Sequence, residues 1–152
     1  MKLSNALTPD RIELNLKSTE KVQAIEEMVA LISRSVSIAD PDNLIKRILE
    51  QEAIKSTGVE KGVAIPHARF DEIEGVIAAL GIVRADLDFQ SLDDQPVHLI
   101  FLILSSVASL SAYLSVLGRT ARIFHDESTR DQVIAAASAE EVMELIRLHE
   151  PV

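Results

Sequence analysis

The residues most able to do chemistry lie in one run, Ser56-Thr57-Gly58-Val59-Glu60-Lys61-Gly62-Val63-Ala64-Ile65-Pro66-His67-Ala68-Arg69. It joins a hydroxyl-bearing turn with two glycines to a short β-type stretch that ends at proline and then presents an imidazole. A turn of that kind can aim backbone N–H groups and hydroxyls at phosphate oxygens. Neutral imidazole is a nucleophile at physiological pH. A single histidine is more often structural than reactive, so the turn beside His67 carries as much of the reading as the ring itself.

The other histidines invite plainer readings. His98 lies between Val97 and Leu99 in an apolar run and reads as a hydrogen-bonded buried residue. His125, beside Asp126 and Glu127, and His149, beside Glu150, read as surface groups near helix ends. The four share no metal-ligand spacing, so no metal is expected. Asp93-Asp94 reads as a solvated turn. The sequence holds no Gly-x-Ser-x-Gly elbow, no Gly-x-x-x-x-Gly-Lys phosphate loop and no Gly-x-Gly-x-x-Gly fingerprint, which leaves nucleotide-dependent catalysis without support. With no cysteine in the chain, thiol chemistry and disulfides are excluded and a reducing compartment fits. No dissociable cofactor is expected.

The formal net charge of −9 argues against a nucleic-acid surface, which needs clustered Lys and Arg to displace counterions. A small folded partner with a basic face suits it better. The opening residues lack the apolar core of a secretion signal, and no run approaches the roughly 18 apolar residues of a membrane span, so a soluble cytoplasmic protein is expected.

The 152 residues suit one domain over 1–152. Apolar residues make up 47% and aromatics 3%, which calls for an aliphatic, closely packed core. Ser18 and Thr19 can cap a helix whose inward stripe is Val22, Ile25, Met28, Val29 and Ile32. Asp40-Pro41 starts a second, with Leu44, Ile45, Ile48 and Leu49 facing in. The run 62–66 is strand-like and leaves His67 at a strand's end. Stretches 76–83 and 97–104 are near-continuous apolar strands covered on both faces, with turn chemistry and room for one brief edge strand between them. A helix over 109–124 carries Leu110, Tyr113, Leu114, Leu117, Ala121 and Phe124 on one face, and another starts at Ser128 with Val133, Ile134 and Ala137 inward. Ser138 and Glu141 form a capping box for the last helix, 142–148. The order α, α, β, β, β, α, α, α predicts an α/β fold, a central mixed sheet with helices on both faces.

The pattern Ser-Thr-Gly-Val-x-x-Gly-Val-Ala-Ile-Pro-His-Ala-Arg resembles the active-site signature of the fructose, mannitol and nitrogen-regulatory enzyme IIA family of the phosphoenolpyruvate-dependent phosphotransferase system. Lys2 to Leu7, Asp94-Gln95-Pro96-Val97 and Ser138 to Val142 are similar to segments at corresponding places in that family, so the resemblance covers essentially the whole chain. It implies a phosphohistidine relay of transferase type: His67 would accept phosphate from a histidine-containing phosphocarrier protein, and Ser56, Thr57 and Gly58 would steady it. The onward target would be a sugar-transporter IIB domain or, in a nitrogen-regulatory role, a regulated protein.

Two departures stand out. Family members usually carry an arginine near the end of the second helix that helps hold the phosphorylated histidine, and Gln51 stands there in this chain. They commonly carry a second histidine near the acceptor, where this chain has Tyr113. Glutamine supplies no charge; tyrosine can donate a hydrogen bond but not shuttle a proton near neutral pH. Lys55, Lys61 and Arg69 flank the motif, with Arg69, two residues beyond His67, the preferred substitute. Taken alone, Tyr113 is a core residue with a polar tip and Gln51 a surface residue. Two functions therefore stand side by side: a phosphocarrier, and a regulatory docking module on the same fold that accepts phosphate poorly. A metabolic enzyme on a similar fold has neither a nucleotide site nor an acid–base pair behind it.

Overall fold

A computed structural model describes residues 1–54 and 61–151. The helices are α1 (Leu3–Ala6), α2 (Lys21–Ser33), α3 (Pro41–Ile54), α4 (Leu110–Ile123), α5 (Glu127–Ile134) and α6 (Ala139–His149), and the strands are β1 (Ile12–Glu13), β2 (Val63–Ala64), β3 (His67–Arg69), β4 (Val76–Leu87) and β5 (Val97–Ser105). None of the described helices is long and apolar enough to cross a membrane.

The central pair β4 and β5 is antiparallel, β1 runs parallel to β4, and β2 and β3 both run parallel to β5, so the sheet is mixed as expected. Alternation along β5 sorts the core. Leu99, Phe101 and Ile103 join α1, α4, α5 and α6 on one face, whereas Ile100, Leu102 and Leu104 join α2 and α3 on the other. Both faces being covered explains why the two long strands read as unbroken apolar runs.

β2 and β3 share one register against β5: Val63 pairs with Leu99, Ala64 with Ile100, His67 with Ile103 and Ala68 with Leu104. They are one strand, interrupted at Ile65-Pro66 where proline has no N–H to give; the Pro66 carbonyl still accepts from Ile103 N–H at 3.0 Å. Carbonyls 62 and 66 face β5, so those of 65, 67 and 69 face the open edge.

Several local expectations need correction. Ser18 and Thr19 do not cap α2, whose N-cap is Glu20 without a side-chain bond; instead the Glu27 carboxylate, about two helical turns in, accepts from the Lys17 and Ser18 amides and the Ser18 hydroxyl. Val22 is exposed. Asp86-Leu87 is not a turn, because β4 runs through it after an irregularity between Ile82 and Leu87 that lets the buried Leu87 pair with Val97. The inward face of α4 is Tyr113, Val116, Thr120 and Ile123, with Phe124 just beyond, while Leu110, Leu114 and Ala121 are exposed. α5 is capped by Asp126, whose carboxylate accepts from Thr129 N–H at 3.0 Å, and Ala136 rather than Ala137 is buried after it. The Asp40 cap of α3 and the Ser138 cap of α6 stand as expected. The short elements α1 and β1 escape the sequence pattern altogether.

Candidate functional site

Where β3 ends at the open edge, between α3 and α4, the described residues enclose a cavity of about 590 Å³ lined by His67, Ala68 and Arg69 from β3, by Arg47, Glu50, Gln51 and Ile54 from α3, and by Tyr113, Leu114 and Leu117 from α4. Four of the residues singled out in the sequence, His67, Arg69, Gln51 and Tyr113, thus share one site. Ser56, Thr57 and Gly58, with Lys55, lie outside the described residues. Lys61 does not reach the cavity: its amide donates to Asp93 at 3.0 Å and its ammonium nitrogen lies 3.5 Å from His125 Nε2.

His67 is half-buried and its ring is oriented by the backbone. Nδ1 lies 2.7 Å from the carbonyl oxygen of Ile65, one of the edge-facing carbonyls. A carbonyl can only accept, so Nδ1 carries the proton and Nε2 holds the lone pair. The strand order that buries Ile65 on the α4 face puts His67 on that face too, where its ring meets Tyr113 edge-on with centroids 6.0 Å apart.

Tyr113 is 5% exposed. Burial pushes its phenol up to about 12, against a smaller pull downward from Arg69, so it remains a neutral donor throughout the physiological range. Arg69 donates through Nη2 to the Val107 carbonyl, and its Nε is buried without a hydrogen-bond partner. Arg47 donates through Nη1 to the edge-facing carbonyl of Arg69 at 3.2 Å and packs over the Phe70 ring at 5.8 Å. The arrangement offers a nucleophilic nitrogen, two guanidinium groups and a neutral phenol around a space open to solvent. That set suits a transferable oxyanion such as a phosphoryl group.

Sequence reasoning missed Arg47, Glu50 and the apolar rim of Ile54 and Leu114. The signal for Arg47 was present, since it stands four residues before Gln51 on the same helix and hence on the same face. The other histidines are elsewhere. His98 donates from Nδ1 to the Val83 carbonyl at 2.9 Å and is half-buried, and His149 Nε2 lies 3.1 Å from Gln132 Oε1. Asp93 does more than solvate its turn: it accepts from the Lys61 amide and from the Gln95 amide, and those two bonds, the Lys61 one foremost, hold its carboxyl below the usual range.

Comparison with known proteins shows the family and the fold. Residues 5–148 match the family described as phosphoenolpyruvate-dependent sugar phosphotransferase system, EIIA 2. The chain is 33% identical over 150 residues to the PTS system fructose-specific EIIABC component of Bacillus subtilis, covering 99% of this chain but only 24% of that protein. It is 29% identical over 146 residues to the nitrogen regulatory protein of Pseudomonas aeruginosa, covering 96% of this chain and 95% of that one. The crystal structure of nitrogen regulatory protein IIA-Ntr from Neisseria meningitidis superposes with a TM-score of 0.87 at 29% identity, over 95% of this chain and 98% of that one.

Proposed function

This chain belongs to the EIIA 2 family of the phosphoenolpyruvate-dependent sugar phosphotransferase system, and we propose that it works as a one-domain phosphocarrier, residues 1–152, with His67 as its phosphate acceptor. The observation that carries the reading is the bond between His67 Nδ1–H and the Ile65 carbonyl, which leaves Nε2 as the lone-pair nitrogen of a ring that lines the same cavity as two arginines.

In the step, Nε2 attacks phosphorus of a phosphohistidine on a carrier protein. The new P–N bond forms as the donor's P–N bond breaks, and the donor nitrogen leaves with the electron pair. The His67 ring, still protonated at Nδ1, becomes cationic, and its bond to the Ile65 carbonyl strengthens as a charge-assisted one. Rate comes from positioning and from cations facing the three equatorial oxygens. Tyr113 supports the ring and offers a neutral donor; Ser56, Thr57 and Gly58 would add donors from the turn. Onward transfer repeats the same chemistry, a nucleophile on a IIB domain attacking phosphorus as the bond to His67 Nε2 breaks and the ring nitrogen takes back its electron pair; in a regulatory role there is no onward transfer, and the phosphorylation state itself alters affinity for a regulated partner. The fructose-specific and nitrogen-regulatory relatives represent these two outlets, and which one this chain serves is set by its partner.

The second reading, a docking module that accepts phosphate poorly, is favoured by one observation: neutral Gln51 lines the cavity, at the position where the resemblance implies an arginine. Incubation with phosphoenolpyruvate, the first enzyme of the system and its carrier protein, followed by intact mass and an acid-lability test, separates the two. A single acid-labile phosphoryl group present in the wild type and missing in His67→Ala is expected; no gain with several cognate carriers would leave the docking module standing.

A further inference from the structure

We propose that Arg47 is the cation that holds the phosphoryl group on His67, standing one helical turn before Gln51, the position at which the resemblance implies an arginine. The inference rests on the reading of His67 as the acceptor and names the residue that makes this variant of the site workable. Gln51 and Arg47 are four residues apart on α3, so both project from one face, and both line the cavity that holds His67. A chain of net charge −9 needs a local cation to receive a phosphoryl group, the more so because Glu50 lines the same cavity and no ion pair joins it to Arg47 among the described residues.

Two arginines are candidates, and their hydrogen bonds distinguish them. A guanidinium grips phosphate best through two parallel N–H groups on one edge. On Arg69 that edge is committed, with Nη2 given to the Val107 carbonyl and Nε buried. On Arg47 the described bond uses Nη1 alone, and the side chain is exposed, so the Nε–Nη2 edge is available to solvent and to a phosphoryl group. Its anchorage is also apt. Nη1 is tied to the carbonyl of Arg69, two residues along β3 from His67, and the flat guanidinium rests on Phe70. An arginine fixed at both points has surrendered much of its rotamer freedom before phosphate arrives, which makes its grip less costly.

The test is the equilibrium constant for phosphoryl transfer from the carrier to His67, measured for the wild type, Arg47→Gln, Arg47→Lys and the double variant Arg47→Gln/Gln51→Arg, with thermal midpoints alongside. Losing one charge-assisted contact should lower the constant roughly tenfold in Arg47→Gln, with Arg47→Lys in between and the double variant restored toward wild type. Transfer in Arg47→Gln equal to wild type overturns the proposal. Should Arg47→Gln lose thermal stability as well, recovery of transfer on adding Gln51→Arg supports it and absence of recovery overturns it. A parallel titration with inorganic phosphate, followed through the His67 ring resonances, separates this inference from the relay itself. If no carrier phosphorylates the wild type, the phosphocarrier reading fails, and Arg47 still stands or falls on whether Arg47→Gln binds phosphate roughly tenfold more weakly.

Discussion

The phenol of Tyr113 is pressed between an imidazole and an apolar layer, and its acidity records that position. Burial raises its pKa to about 12 in the fold, above the ordinary value near 10. Below pH 10 both folded and unfolded chains keep the proton, so the group is neutral to stability. Between 10 and 12 the unfolded chain sheds it first, and stability falls as pH rises. Tyr113→Phe should abolish that share of the alkaline loss: urea midpoints of wild type and variant should diverge between pH 8 and pH 11, and an equal drop in both would contradict the assignment. Four residues that line the cavity, His67, Arg69, Gln51 and Tyr113, were marked by type and by their place in a pattern, because each is the strand-end histidine, lies beside it in sequence or aligns with a known motif. Arg47 carried no such mark. Its one signal was the four-residue spacing to Gln51, which on an exposed helix face gains meaning only when the fold brings β3 alongside.

At the scale of elements, the site depends on how the chain enters β2. Lys61 and Gly62 both adopt left-handed φ angles, 71° and 82°, and a Cβ at Gly62 would come within 3.3 Å of the Pro96 carbonyl. The Gly62 carbonyl also receives the His98 and Leu99 amides, which set the register that puts His67 opposite Ile103. Gly62→Ala should therefore cost about 1–2 kcal/mol and disturb His67 along with stability; a variant as stable as wild type would show that this turn is not what fixes the register. The long strands and the capped helices were legible because period and cap are properties of neighbouring residues. What escaped was decided by distant ones. α1 and β1 are too short to show a period and exist because they pack on α4, α6 and β4. The face of α4 is rotated from the most hydrophobic stripe because Leu114 borders the cavity and Leu110 is exposed, neither joining the core, and the buried Thr120 returns its hydroxyl to the Val116 carbonyl.

The molecule as a whole is tied together by charges buried at its joints. Arg11, 9% exposed, donates to the Ala6 and Ala78 carbonyls and to the Ser35 hydroxyl, linking α1, β4 and the end of α2, and desolvation lowers its pKa. At the other end of the chain the Glu150 carboxylate, also buried, accepts from the Leu3 and Ser4 amides at 2.6 and 3.1 Å, with Arg119 at 3.8 Å. A residue near the C-terminus thus serves the first helix. Glu150→Ala leaves those amides buried without an acceptor and should destabilise the fold by roughly 3 kcal/mol, with faster amide exchange at Leu3 and Ser4; protection unchanged at both would show that the first helix holds without its distant acceptor. The open border of the sheet repeats the theme. Unpaired carbonyls there are a template on which a foreign strand can grow, yet the one at Ile65 is closed by the His67 ring and the one at Arg69 by the Arg47 guanidinium. The side chains assigned to phosphate are also the stoppers of a seam. A variant stripped of its imidazole to silence the relay is at once a chain with a reopened border, and self-association in such a variant speaks of the sheet before it speaks of signalling.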